Sequence, residues 1–229
     1  MPGYLSAVTA PSRPTPIVRS AAAAVLLAAA VACAGPPAPN ATPAGTAAVG
    51  EAPAPTRPLA VVAAQRVVVT PVQRVVGDGT LGFDAAALDA ELAFALGERG
   101  LGARWTAADA ARRMARQNPT FTGDPGAVDF GVARPKAGDD LQEPAASQLR
   151  ALAALADARY VVVPGEVRAD TTGGAARAVL RVTLVDTRRQ QVLWTGETAG
   201  VPLAGVPAPA RAARVAARFV DLIAAPPQP

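Results

Sequence analysis

Apolar positions beyond the first sixty residues recur with two periods, one typical of strands and the other typical of helices. The segment 65–76, QRVVVTPVQRVV, is rich in β-branched residues and ends at a Gly-Asp-Gly turn, which predicts a first strand. Behind it Leu88, Leu92 and Leu96 recur every four residues, which predicts a helix with an apolar stripe. Asp84 precedes this stripe and is expected to cap the helix.

A short strand and a second helix are predicted next, followed by a long irregular stretch. The strand covers 103–105, and the helix runs from 107 to about 117, with Thr106 and Asp109 in the spacing of a capping box. Residues 118–143 contain repeated prolines and glycines and few apolar residues in register, which predicts an irregular surface excursion.

The carboxyl-terminal part of the chain is predicted to form a helix, three strands and a last helix. The first helix covers about 144–156, with its proline in the first turn. The runs 160–169, 176–186 and 190–198 are joined by short turns and predict an antiparallel meander. The last helix covers about 208–224 and presents an apolar stripe to the same core.

The second strand of the meander alternates between apolar and polar residues. Leu180, Val182 and Leu184 share one face, whereas Arg181 and Thr183 share the other, which indicates a sheet covered on one side only. The predicted fold class is therefore α+β, with a small mixed, largely antiparallel sheet of four to five strands. Helices are expected mainly on one face, in the order β-α-β-α-loop-α-β-β-β-α.

The amino-terminal segment has the organisation of a secretory signal. Arg13 and Arg19 precede the apolar run 21–32, AAAAVLLAAAVA, which is shorter than the ~20 residues that a spanning helix needs. Residues 30–33, AVAC, resemble the lipobox of bacterial lipoproteins, and the resemblance implies that Cys33 is lipidated and becomes the first residue after cleavage. The alternative is ordinary signal cleavage near Ala32 with an incidental cysteine.

A linker is predicted between Cys33 and the folded part. Residues 34–58 are dominated by Pro, Ala, Gly and Thr and have too little apolar surface to fold. We therefore expect four regions, listed here as a signal peptide at 1–32, the lipidated cysteine with a disordered linker at 33–60, one α/β domain at 61–224 and a disordered tail at 225–229.

Composition excludes several functional classes. The chain has 22 basic and 18 acidic residues, and loss of Arg13 and Arg19 with the signal would lower its net charge from +4 to +2. This balance, with few aromatic residues, argues against nucleic-acid binding. The chain has no histidine and only one cysteine, which excludes histidine-based triads and an intrachain disulfide. We predict no enzymatic activity, no cofactor and no metal site.

Two groups of residues resemble ligand sites but are expected to have only structural roles. Asp139, Asp140 and Glu143 are the densest acids, but they lack a metal-loop spacing and are expected to be solvated in a loop. The segment 170–174, DTTGG, precedes a strand rather than a helix, so it predicts a hairpin turn and no phosphate cradle.

The tryptophans and a group of arginines could mark an interaction surface, but a structural role is expected for them as well. Trp105 and Trp194 are expected to pack in the core, although exposed tryptophans are frequent at protein interfaces. Arg112, Arg113 and Arg116 place positive charge on one side of the second helix and are expected to form a solvated face.

Four segments carry a resemblance to a known superfamily. They read RVVVTPVQRV, GARWTAADAARRMARQ, LAALADARYVVVPGEVRA and LRVTLVDTRRQQVLWTGET, within 65–198. The chain resembles the envelope-protein superfamily of the TolB amino-terminal domain, the curli secretion channel and the penicillin-binding-protein activator lipoproteins. This resemblance carries no catalytic signature, and it implies fold more directly than function.

Lipid, linker and domain together predict a tethered binding module. We expect an exported lipoprotein held in a membrane through Cys33, whose domain binds an unidentified envelope protein and assists cell-wall or envelope-complex assembly. Ala34 after the cysteine is implied by the resemblance to favour the outer membrane, facing the periplasm. The alternative is a subunit of an oligomeric outer-membrane secretion channel, which needs further alternating hairpins to line a pore.

Overall fold

The structure is a computed structural model that describes residues 58–130 and 134–223. Cys33, the predicted signal peptide and most of the predicted linker lie outside the described residues. Residues Ala52–Pro229 form one compact unit, and every residue of the two apolar clusters described below lies within it. This unit therefore contains its own hydrophobic core, as a part of the chain that folds alone requires.

The described chain begins with a turn of 3-10 helix at Ala60–Val62, followed by seven strands and five helices. The strands are β1 (Val67–Val69), β2 (Arg74–Val76), β3 (Trp105–Thr106), β4 (Tyr160–Asp170), β5 (Arg177–Asp186), β6 (Gln191–Glu197) and β7 (Val201–Pro202). The helices are α1 (Asp78–Leu81), α2 (Ala85–Glu98), α3 (Ala108–Gln117), α4 (Ala145–Leu155) and α5 (Ala208–Asp221).

All seven strands belong to one mixed sheet with the order β3-β1-β4-β5-β6, in which β2 also pairs with β4 and β7 with β5. The strands β1 and β2 run parallel to β4, and β3 runs parallel to β1. The strands β4, β5 and β6 form the predicted antiparallel meander. The α+β class is thus confirmed, and the sheet has more strands than the four to five expected.

The predicted first strand is divided in two. A single strand over 65–76 was expected, but Thr70 to Gln73 separate β1 from β2. Pro71 lies in this break and has no N–H to donate to a neighbouring strand. The backbone still follows β4, because the N–H of Thr70 donates to the Val162 carbonyl at 3.0 Å.

A β-bulge in β4 lies opposite this break. The register with β5 shifts between Pro164 and Glu166, leaving Gly165 unpaired. Because side chains alternate strictly between faces, one extra residue reverses which positions point to which face. Val161 and Val163 point to one face before the bulge, whereas Glu166 and Arg168 point to that face after it.

Helices cover both faces of the sheet, so the expectation of helices mainly on one face is wrong. The first face packs against α2 and α5 through residues such as Leu92, Val182 and Phe219. The second face packs against α3 and α4, where Leu149 contacts the cluster around Val161. The alternation at Leu180 to Leu184 indicated one covered side because Arg181 and Thr183 are polar, but Thr183 faces Val163 and is only 4% exposed.

The predicted helices form, but one predicted cap does not. Asp84 caps α2 as expected, since its carboxylate accepts a hydrogen bond from the Ala87 N–H at 2.8 Å. The expected capping box is wrong: Thr106 belongs to β3, and Ala107 precedes α3 without a side-chain hydrogen bond. Thr106 pairs with Val68 of β1 in the parallel part of the sheet, so its backbone is extended.

The irregular segment 118–143 contains no helix or strand among its described residues, as predicted. It is nevertheless packed onto the sheet, because Phe121, Val128 and Phe130 contact the second-face cluster and Leu141 is buried in it. A further addition lies at the start of the domain, within the predicted linker. Leu59 is fully buried, and its N–H donates to the Leu222 carbonyl at 3.0 Å.

Candidate interaction surface

The second face of the sheet has a covered half and an exposed half. Helices α3 and α4 cover the half that contains Val161 and Val163. Beyond the bulge the side chains of β2, β4, β5 and β6 on this face are exposed or half-buried, apart from Val179, which is 6% exposed. We call this exposed half the open face; its members are Arg74, Val76, Glu166, Arg168, Arg181, Thr195 and Glu197.

A row of alternating charge crosses the open face. Glu166 is the register partner of Arg74 on β2 and of Arg181 on β5. Arg181 is in turn the partner of Glu197 on β6. The row therefore reads positive, negative, positive, negative across four adjacent strands. Opposite charges at directly facing positions stabilise a sheet, whereas like charges would destabilise it.

Ion pairs hold the row in place. Arg74 and Glu166 form a hydrogen-bonded pair, and Arg181 lies 2.8 Å from the Glu197 carboxylate. Arg168 approaches the same carboxylate at 3.3 Å. Burial favours the neutral acid, but the hydrogen bond from Arg74 and the nearby arginine charges outweigh it and lower the pKa of Glu166. The Glu166 carboxylate is consequently ionised near neutral pH.

A loop wall borders the row, and Gln73 fixes its position. The Gln73 side-chain amide donates to the Pro125 carbonyl at 3.0 Å, and its oxygen accepts from the Val128 N–H at 2.6 Å. These bonds set Val128 and Phe130 beside Arg74. The result is a groove of about 270 Å³ between the loop and the sheet. It is lined by Gln73, Arg74, Val128, Phe130, Glu166 and Arg181 among others.

The predicted acidic cluster serves the local structure of its loop. Asp139 accepts a hydrogen bond from the Lys136 N–H at 2.7 Å, and Glu143 accepts one from the Ser147 hydroxyl at 2.7 Å. Both acids and Asp140 are exposed, as expected for a solvated loop. Among residues 58–130 and 134–223 the structure has no group of three or more side chains able to hold a metal ion.

The glycine-rich segment is a hairpin turn, as predicted. The Thr172 N–H donates to the Asp170 carboxylate at 3.0 Å, and the Gly174 N–H donates to the Thr171 carbonyl at 3.0 Å. Gly174 has a φ of +87°, which glycine adopts without a steric penalty. The turn joins β4 to β5.

The two tryptophans both contact the first core. Trp105 is 2% exposed, and its indole N–H donates to the Ala63 carbonyl at 3.3 Å. Trp194 is half-buried against the same cluster. Its indole lies so close over Gly196 that a Cβ built there would be 2.3 Å from a ring carbon. The prediction of core packing is therefore confirmed fully for Trp105 and partly for Trp194.

The expectation of a solvated arginine face is wrong for Arg112. Its guanidinium lies 2.6 Å from the carboxylate of Asp89, which is only 3% exposed. Arg113 and Arg116 are exposed as predicted. No local pattern predicted this pair, because Asp89 lies between Leu88 and Leu92 on the apolar side of α2.

Sequence reasoning also missed the open face. The four residues of its charge row come from separate strands and lie up to 123 positions apart, from 74 to 197. Alternating charges within each predicted strand were visible, but their alignment depends on register and on the bulge in β4. Cys33, the predicted lipidation site, lies outside the described residues.

No helix among the described residues is long and apolar enough to cross a bilayer. No protein-family model matches the sequence, and no curated protein matches it.

Solved structures resemble the fold. A PelC dodecamer from Paraburkholderia phytofirmans is 18% identical, with 69% of this chain and 88% of that chain covered at a TM-score of 0.33. LpoB from E. coli is 15% identical, with coverages of 85% and 88% and a TM-score of 0.38. Lipoprotein GNA1162 from Neisseria meningitidis is 20% identical, with coverages of 59% and 78% and a TM-score of 0.31.

Proposed function

We propose that this protein is an exported envelope lipoprotein, anchored through a lipid on Cys33, whose domain binds a protein partner through the open face. The observation that carries the proposal is the charge-paired row from Arg74 to Glu197, beside Val128 and Phe130, which no element within residues 58–130 and 134–223 covers. Arginine and aromatic side chains are enriched in protein interfaces, whereas lysine and acidic residues are depleted there.

Pairing within the row makes the open face suitable for burial. A partner that covers a lone charge must overcome the full cost of removing it from water. Here Glu166 is already paired with Arg74, and Glu197 with Arg168 and Arg181. Covering this surface therefore leaves none of these carboxylates without a cation, and the fixed charge pattern can select a partner of complementary pattern.

The anchor is supported by the sequence around Cys33. Several acyl chains on one cysteine hold a protein on a membrane stably, whereas a single short chain binds reversibly. A linker of 25 residues in a polyproline-like conformation, at ~3.1 Å per residue, would let the domain reach several nanometres from the lipid. We propose the outer membrane, facing the periplasm, as the location, and assistance to cell-wall or envelope-complex assembly as the role.

Lipidation can be tested separately from partner binding. Cells producing the protein are treated with globomycin, which blocks removal of lipoprotein signal peptides. We expect an unprocessed precursor to accumulate, and the Cys33→Ser variant to be absent from washed membranes. Normal processing under globomycin would refute lipidation while leaving the binding surface untouched.

Partner binding is tested by photo-crosslinking in native cells. A photoreactive amino acid is placed at Val76 or Thr195, which lie on the open face but outside the charge row. Matched control positions are Arg113 and Arg214, which are exposed on helices elsewhere. We expect discrete protein adducts from the open face alone.

A side-chain variant sharpens this experiment. Phe130→Ala removes the aromatic wall of the groove and should reduce the adducts, whereas Phe94→Ala removes a phenylalanine that is 65% exposed on α2. Equal adduct yields from open-face and helix positions, or equal effects of the two variants, would contradict the assignment of the open face.

A further inference from the structure

Arginines line one end of the sheet, away from the groove. Arg104, Arg66 and Arg159 immediately precede the parallel strands β3, β1 and β4. Arg188 and Arg189 lie in the turn after β5, which runs antiparallel to β4. Because β3, β1, β4 and β5 are consecutive neighbours, these residues lie in order along the same end. We call them the arginine row.

The row is only partly neutralised. Neighbouring strands are ~4.8 Å apart, so the row extends over roughly 15 to 20 Å. Asp157 pairs with Arg66 at 2.6 Å, and Asp186 pairs with Arg159 at 2.5 Å. Five arginines against two aspartates leave a formal excess of three positive charges. In the described part of the chain neither Arg104 nor Arg188 forms an ion pair, and both are exposed.

A cavity beside the row extends the positive surface. It has a volume of about 500 Å³ and lies between the end of α4 and the turn after β5. Arg150 and Arg188 line it together with Thr187 and Gln190, and Asp157 is its acidic member. Guanidinium groups of this kind bind phosphate oxygens through charge-assisted hydrogen bonds.

The chain enters the domain at this same end. Leu59 is bonded to Leu222, and a single 3-10 turn separates it from Arg66 at the start of β1. The upstream linker leads to Cys33, so the end of the sheet that carries the row is the end to which the proposed membrane anchor is joined. This step rests on the proposed function; the charge and geometry of the row do not.

We propose that the arginine row binds the anionic phospholipid headgroups of the membrane surface. Cations spread along one end of a sheet suit an extended plane of negative charge, and each arginine near such a surface strengthens binding by about fivefold, or ~1 kcal/mol. Docking by this end would hold the domain against the membrane. The two faces of the sheet, including the open face, would then not be covered by the membrane.

The experiment uses residues 52–229, which contain both apolar clusters and neither the signal segment nor Cys33. Cosedimentation is measured with vesicles of phosphatidylcholine alone and with vesicles of equal parts phosphatidylcholine and phosphatidylglycerol. We expect binding to the anionic vesicles only. Binding should weaken as salt is raised, since the screening length falls from ~30 Å at 0.01 M to ~10 Å at 0.1 M.

A triple variant tests the row itself. Arg104→Gln, Arg188→Gln and Arg189→Gln together should weaken binding by about a hundredfold, from about fivefold at each position. The matched control changes Arg113, Arg116 and Arg214 to Gln, which removes the same charge from exposed helix positions. Circular dichroism melts check that both variants remain folded.

Three results would overturn the proposal. One is the absence of binding to anionic vesicles at low salt. Another is an equal loss in the two triple variants, which would assign the effect to net charge. The third is tight, row-dependent binding to polyglutamate without vesicle binding, which would assign the row to an acidic protein. Because this form of the protein lacks Cys33, a failure to bind vesicles would not affect the globomycin test of lipidation.

Discussion

Arg112 on α3 and Asp89 on α2 form an ion pair with 2.6 Å between the Arg112 Nη2 atom and the Asp89 Oδ2 atom. The other carboxylate oxygen of Asp89 accepts the N–H of Val72 at 2.8 Å, in the break between β1 and β2. One buried carboxylate thus connects two helices and the segment that leads to Gln73.

Removal of the Arg112 guanidinium should destabilise the fold. Arg112→Ala leaves the Asp89 carboxylate buried without its cation, so we expect the free energy of unfolding to fall by about 2 to 4 kcal/mol. Urea denaturation followed by circular dichroism measures this loss. The control is Arg113→Ala, an exposed neighbour for which a change within about 0.5 kcal/mol is expected. Similar losses for both variants would contradict a specific role for the pair.

Acid should weaken the fold at Asp186. Burial opposes its ionisation, but hydrogen bonds from Arg159 and from the backbone of Arg188 and Arg189 outweigh burial and lower its pKa. A lowered folded-state pKa contributes stability above the unfolded value of about 3.9, and this contribution is lost as the pH falls through the folded value. Asp186→Asn should therefore flatten the decline of the melting temperature below about pH 4.

The control for this acid dependence is Asp157→Asn, since the Asp157 side chain is 88% exposed and paired only with Arg66. An unchanged pH profile in Asp186→Asn would refute the assignment. Asp89 has the opposite sign, because burial raises its pKa despite the hydrogen bonds from Val72 and Arg112. Its contribution is present below the unfolded pKa and is lost as the pH rises through the folded pKa.

A methyl group at position 196 should displace an indole. Gly196→Ala places a Cβ within 2.3 Å of the present position of Trp194, so the ring must leave its place against the first core. Overpacking of this kind costs about 1 to 3 kcal/mol. The fluorescence emission should shift to longer wavelength because the Trp194 indole becomes exposed to water, whereas Trp105 remains buried.

The matched control for position 196 is Gly173→Ala in the turn between β4 and β5, where a Cβ would meet no atom within 4 Å. We expect its emission spectrum and urea midpoint to match those of the unchanged protein. An unshifted spectrum in Gly196→Ala would show that the indole has room elsewhere in the core.

Loss of the Gln73 side chain should free the loop wall of the groove. Gln73→Ala removes the bonds to the Pro125 carbonyl and the Val128 N–H. Hydrogen exchange should rise across 125–130, with a loss of about 1 to 3 kcal/mol in unfolding free energy. Gln117→Ala, at an exposed position on α3, is the control. Unchanged exchange in Gln73→Ala would mean that apolar contacts alone hold the loop.

Local signals in the sequence predicted most of the elements. The periodicity of Leu88, Leu92 and Leu96 and the cap at Asp84 were sufficient for α2, because both depend on near neighbours in the chain. The meander was equally clear from its short turns. The capping box predicted at Thr106 was wrong because this residue pairs with β1 instead, and no local pattern reveals that pairing.

The interaction surface depends on distant contacts and was not predictable in this way. The polar residue Arg181 in the alternation of its strand indicated a solvated face, but its neighbours Glu166 and Glu197 follow from strand register. That register includes an extra residue at Gly165, which period-two patterns do not anticipate. The ion pair of Arg112 with Asp89 likewise requires the packing of α3 beside α2.

The bulge at Gly165 separates two kinds of constraint along one strand. Ahead of it, Val161, Val162 and Val163 are enclosed from both sides, so a change at any of them alters the packing of the core. After the bulge Val167 is the only residue of β4 that is buried, whereas Glu166 and Arg168 are half-buried on the open face. Substitutions there can therefore change the charge of the surface without opening a cavity in the core.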